Sequence, residues 1–186
     1  DTLDVAAVAA HRVSTDVAYP WDQGSKALSA DELKRREAWQ SRFMPSGAMV
    51  AGRVDRLHWM TFGTPETLPL LYSEQPPLMT KGRQQAVVRV GALQSDSEAT
   101  EAQTLNWSTA PRGTAVSVRM SGLLWPEAAA RIANSAYVTR ERVGKGQVIL
   151  FSGQPNFRGS TRGVGRVWLN ALVYGPGLGT SAQVEL

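Results

Sequence analysis

The sequence predicts an α/β fold, on three observations from its C-terminal fifth. A Gly144-Lys-Gly146 turn leads into an unbroken apolar run at 148–151, the pattern of a central strand buried on both faces. A polar loop follows. A helix then carries Val164, Val167, Trp168, Ala171 and Leu172 at helical spacing. An α/β protein places its site at the carboxyl end of a strand, so the loop after residue 151 is where chemistry is expected.

The remaining elements are read in chain order. Residues 3–13 form a helix whose Leu3, Val5, Val8 and alanines are too apolar to stand alone in water. Tyr19-Pro-Trp-Asp-Gln-Gly24 is a loop. Ser29 and Glu32 make a capping box that opens a charged helix ending near residue 40. Strands at 48–55 and 68–73 bracket the segment around His58. Another strand runs over 86–93, and 94–103 is an acidic, solvated turn region. Residues 114–120 are a strand with one covered face. Pro126 suits the first turn of a short helix, 126–134. The segments 136–143 and 147–152 flank the Gly144-Lys-Gly146 turn as a β-hairpin. Gly175-Pro176 ends the last helix, and the tail 177–186 is loosely held. Trp125, Trp168, Phe151 and Phe157 are assigned to the core.

Composition narrows the class. At 186 residues the chain suits one domain that buries ~70% of its unfolded surface. Hydrophobic content of 42% with six Trp belongs to a globular protein. No apolar run approaches the ~20 residues of a membrane helix. The chain opens at Asp1 and is read as a processed or trimmed fragment. With no cysteine, disulfides, thiolate metal sites and cysteine nucleophiles are excluded. The net charge is +4, and six basic residues face the single acid Glu141 between positions 140 and 166. Such a patch meets an anion or an acidic partner, or is simply a solvated basic face. No fingerprint of a nucleic-acid-binding motif accompanies it, so nucleic acid is not expected.

Several stretches carry a resemblance. They are Ser121-Gly-Leu-Leu-Trp-Pro-Glu127, the unit from Gly144-Lys-Gly146 to Pro155-Asn-Phe-Arg-Gly159, and Leu169-Asn-Ala to Gly175-Pro176. Met44-Pro-Ser-Gly-Ala-Met49, His58-Trp-Met-Thr-Phe-Gly63 and Leu68-Pro-Leu-Leu71 fit more loosely. Together they span roughly 43–176 and resemble the C-terminal accessory domain of bacterial zinc carboxypeptidases of the carboxypeptidase A type. That domain looks like a degenerate class I glutamine amidotransferase. The resemblance implies a flavodoxin-like sheet with flanking helices over 1–176, incomplete at its N-terminal end because its first strands lie upstream. It also implies a secreted or periplasmic metallopeptidase whose zinc sits in the catalytic domain of the parent protein. The partner is then that catalytic domain, or another copy of this chain that completes the sheet.

The candidate residues are few. His11 and His58 are the only histidines, followed three residues on by Ser14 and Thr61, so neither opens a His-x-x-Glu zinc pair. His58, beside Trp59, is read as structural. The resemblance aligns Gln154-Pro155-Asn156 with the His-Pro-Glu stretch of the amidotransferases. Gln154 and Asn156 cannot accept a proton at neutral pH, and the cysteine is missing. Ser152 and Ser160 have no histidine near in sequence to act as base. Gly175-Pro-Gly-Leu-Gly179 follows a helix, so it is a helix stop and not a dinucleotide loop. Arg158, Arg162 and Arg166, four apart, are expected to line one face near the start of the last helix and to hold an anion or partner there. The alternative is that Arg158 folds back onto an acidic residue of its own domain. The expected function is a non-catalytic docking domain needing no cofactor of its own. A stand-alone module that binds an anionic ligand or acidic partner is the alternative.

Overall fold

A computed structural model describes residues 29–178, apart from 81, 99, 106 and 107. His11, the helix expected over 3–13, the loop at 19–24 and most of the tail lie outside the described residues. The fold divides into two units after Trp39. In the first, α1 (Ala30–Gln40) starts at the capping box read from sequence. Glu32 accepts from the Ser29 backbone N–H and hydroxyl, both at 2.7 Å, while the Glu32 N–H donates to Ser29 Oγ at 3.3 Å. The donors from Ser29 hold the Glu32 carboxyl below its usual range.

The second unit is built on a curled sheet of β1 (Ser46–Val54), β2 (Thr67–Ser73), β3 (Gln85–Val90), β8 (Arg119–Ser121), β9 (Ala136–Val143) and β10 (Gly146–Phe151). The order is β10-β9-β3-β1-β2, with β8 also on β1. Small ladders join β4 (Ala92–Ser95) to β7 (Thr114–Ser117) and β5 (Gln103–Leu105) to β6 (Ser108–Ala110). Two helices complete it, α2 (Pro126–Ile132) and α3 (Arg162–Leu178). The mixed α/β class is as read from sequence. Every strand ladder described is antiparallel, whereas the flavodoxin-like sheet implied by the resemblance is parallel.

The hairpin of β9 and β10 forms in the expected place, from Gly146 opposite Val143 to Phe151 opposite Val138. Its second strand is not the expected central one. β10 lies at the end of the strand order, with Val148 45% and Leu150 51% exposed, while Ile149 and Phe151 pack on the core. A run of four apolar residues presents two to each face, and only one face is covered here. The doubly buried strand is β9, whose Ala136, Tyr137, Val138 and Thr139 are all buried.

Two expected strands are each cut in two. The strand at 86–93 breaks at Gly91, which has φ 97° and donates to Ala51 O at 2.6 Å. The strand at 114–120 breaks at Val118, whose carbonyl accepts from the Ala51 N–H at 2.8 Å. Ala51 therefore turns both backbone groups away from its β2 partner, Pro69. Ala51 and Pro69 are a non-hydrogen-bonded pair, and the pyrrolidine nitrogen faces the outer edge.

The last helix buries Val164, Val167, Asn170 and Gly175, with Ala171 against the core. Val164, Val167 and Ala171 thus hold the expected face, while Leu172 is 55% exposed and lies outside it. Trp125 is 49% exposed and meets Phe43 edge-on, and Trp168, Phe151 and Phe157 are only partly buried, so these aromatic residues border the core instead of forming it. The helix also runs through Pro176 to Leu178 and does not stop at Gly175. The Gly175 carbonyl, in the last turn, accepts from Gln147 Nε2 at 3.0 Å, a partner from β10 for a group the helix cannot satisfy.

At Gly91 a Cβ would sit 2.3 Å from Val116 Cγ1, on a φ that side chains rarely adopt. Gly91→Ala should therefore lower unfolding free energy by roughly 2–4 kcal/mol, combining overpacking with backbone strain. A urea midpoint equal to that of the parent chain would contradict this.

Candidate functional site

The curl of the sheet brings β2 and the end of β10, its two outermost strands, to either side of a cleft. Tyr137 Oη donates to Leu71 O at 3.4 Å, and Ser152 Oγ donates to Pro76 O at 3.0 Å. The cleft holds about 920 Å³. One wall is Leu71, Ser73 and Gln75; the other is Phe151 and the turn through Gln154, Pro155 and Phe157. Leu71 is two residues from Pro69, so its backbone N–H and C=O also point away from β1, toward the cleft. The floor needs Gly153, where a Cβ would lie 2.4 Å from Tyr137 Oη.

No ionisable carboxylate, amine or imidazole lines this space. The two tyrosines near it are buried, which pushes the Tyr137 hydroxyl up to about 12 and the Tyr72 hydroxyl higher still. Both stay protonated at neutral pH, so neither serves as a base there. Leu71 offers its backbone N–H, the Ser73 N–H donates to Gln75 Oε1, and Phe151, Pro155 and Phe157 offer apolar surface.

The residues named from sequence take different places. Gln154 is exposed and lines the cleft; Asn156 is exposed in the same turn and outside the lining. They follow an antiparallel edge strand, not the central strand of the amidotransferase alignment. Arg158 is not on the last helix. It sits in the 3-10 turn Phe157–Gly159 with φ 49°, its guanidinium 5.3 Å from the Phe157 ring centre. Its fold-back partner is thus an aromatic ring. Arg162 and Arg166 are exposed on the first turns of α3, Arg166 beside Gly63. The expected three-arginine face is therefore a pair on the helix and one residue before it.

His58 is 7% exposed and caps the 3-10 turn Trp59–Thr61, with Nδ1 accepting from Met60 N–H at 3.2 Å. That bond puts the neutral ring's proton on Nε2, which makes no hydrogen bond of good geometry. Burial is the main cause of a lowered histidine pKa; Arg140 adds to it, while Asp55 and the nearby Gln85 amide oppose it. Asn170, which sequence reading missed, fastens this turn to α3. Its Nδ2 donates to Met60 O at 2.9 Å and Phe62 O at 2.8 Å. The available signal was a polar residue at position 170, three after Val167 in an apolar stripe.

Comparison with known proteins gives no assignment. The chain matches no protein-family model, no curated protein and no solved structure. No helix among the described residues is long and apolar enough to cross a membrane.

The His58 pKa is lowered in the folded state, so the unfolded chain binds the proton more readily. Stability should be full above the ordinary histidine value of 6.5 and fall as pH drops through it. Thermal melts from pH 8 to about pH 5 test this. His58→Asn, which keeps an acceptor for Met60 N–H and cannot titrate, should flatten that slope; an unchanged slope would assign it to other groups.

Proposed function

We propose that this chain is a non-catalytic docking domain that takes an extended peptide segment in the cleft between β2 and the turn after β10. One observation carries the reading: the outward Leu71 N–H faces apolar Phe151, Pro155 and Phe157 across a cleft without an ionisable lining, while the Ser73 N–H is held by Gln75 Oε1 and Leu71 O by Tyr137. Strand addition uses a main-chain group at a sheet edge and apolar surface for alternate side chains; the Leu71 N–H and the Phe151, Pro155 and Phe157 wall supply these. The absence of cysteine supports a domain without glutaminase chemistry.

The resemblance to the accessory domain of a bacterial zinc carboxypeptidase nominates the partner as the parent's catalytic domain, where zinc and proteolysis would reside, in a secreted or periplasmic protein. The antiparallel ladders weigh against the flavodoxin-like, amidotransferase-like part of that resemblance. The docking reading rests on the cleft and survives without it. A second reading is a stand-alone module that holds an anionic ligand or acidic partner through Arg158, Arg162 and Arg166. It draws support from the exposure of all three guanidiniums.

Leu71→Pro removes an N–H that points into the cleft and none that β1 uses, as Pro69 already does. The variant should melt within about 4 °C of the parent, equivalent to roughly 1 kcal/mol. It should lose at least about tenfold in affinity for peptides selected from an extended-heptapeptide display library, about the worth of one or two main-chain hydrogen bonds. Failure to select any peptide, or equal binding by the proline variant, would remove the proposal.

A further inference from the structure

A second cavity, of about 240 Å³, lies at the end of β1 against β3 and is lined by Arg53, Val54, Asp55, Ala86 and Arg89. Arg53 and Arg89 are direct cross-strand partners, so their side chains share one face of the sheet. Both are half-buried. Arg53 Nη1 donates to Gly91 O at 3.2 Å and Nη2 to Asn134 Oδ1. Arg89 Nη1 donates to Asn134 O at 3.1 Å and Nη2 to Thr80 Oγ1 at 3.3 Å. All four acceptors are neutral. Asp55 is also in the wall, an exposed carboxylate whose Oδ1 accepts from Leu57 N–H at 3.0 Å and which pairs with neither arginine. Among the described residues neither arginine forms an ion pair.

Two like charges opposite each other on a sheet repel, and half-burying them without an ion-pair partner costs still more. The strain shows in both groups. Burial weakens the hold of each guanidinium on its proton, and Arg89 weakens that of Arg53 further. The neighbouring carbonyls and the Asn134 amide fix the two forks in place, so they are ordered before any ligand arrives. A singly charged carboxylate neutralises one of them, whereas a dianion neutralises both.

We propose that the cavity between Arg53 and Arg89 is a binding site for a phosphate group, either the free ion or the terminal monoester of a small molecule. Bidentate guanidinium forks match the oxygens of such a group. The cavity shares no lining residue with the β2–β10 cleft, so this site and the docking function stand or fall separately.

The test is a titration of the chain with inorganic phosphate at constant ionic strength, read by the side-chain Nε–Hε signals of 15N-labelled arginine. Saturable shifts at Arg53 and Arg89 are expected. Arg89→Gln should bind phosphate about ten- to a hundred-fold more weakly, the loss of one charge-assisted fork. Arg158→Ala should bind it like the parent. Shifts confined to Arg158, Arg162 and Arg166, no saturable shift at all, or parental affinity in Arg89→Gln would each overturn the site. Should Arg89→Gln fail to fold, the titration of the unaltered chain decides alone. Glycerol 3-phosphate binding more tightly than inorganic phosphate assigns the ester; the reverse order assigns the free ion.

Discussion

The backbone of Ala51 is the joint on which the second unit turns. Its N–H reaches Val118 and its carbonyl receives Gly91, so one residue in the middle of β1 holds two chain segments at the points where each changes ladder. From Gly91 the chain leaves the main sheet for β4, and at Val118 it returns from β7 to β8. Both crossings need close backbone approach, which is why one position is a glycine at positive φ. The residue facing Ala51 from β2 is a proline, which has no N–H to offer and needs none there.

The sequence was legible where a local rule acts alone. The capping box at Ser29 and Glu32, the strands of β1 and β2, and the hairpin around Gly144-Lys-Gly146 depend on neighbours a few residues apart. It was less legible where pairing partners decide. The run from Val148 to Leu150 has the same composition whether its strand is central or at an edge, and only the covering layer distinguishes the two. Gly91 and Val118 sit in continuous strand patterns, and the break at each is set by a contact with Ala51 far away in sequence. Pro176 shows the reverse. A residue that usually stops helices is carried in the last turn, and the helix runs on to Leu178, while Gln147 from another element bonds the Gly175 carbonyl.

The candidate site divides in the same way. The loop after β10 was singled out by a rule for parallel sheets, yet the cleft beside it exists because an antiparallel sheet curls until its outer strands meet. Gln154 lines that space while Arg158 stacks on Phe157 outside the helix to which spacing had assigned it. Asn170 and the Arg53–Arg89 pair gave little sign in sequence. Each draws its meaning from partners more than thirty residues distant, a carbonyl or a second guanidinium, that no local window contains.

Pro69 also limits what the open side of β2 can accept. Along that side Leu71 presents its N–H, the Ser73 N–H is held by Gln75 Oε1, and Pro69 presents a carbonyl but no donor. The row of outward donors is therefore broken after a few residues. The same gap denies a second copy the long unbroken ledge on which sheets stack into fibrils.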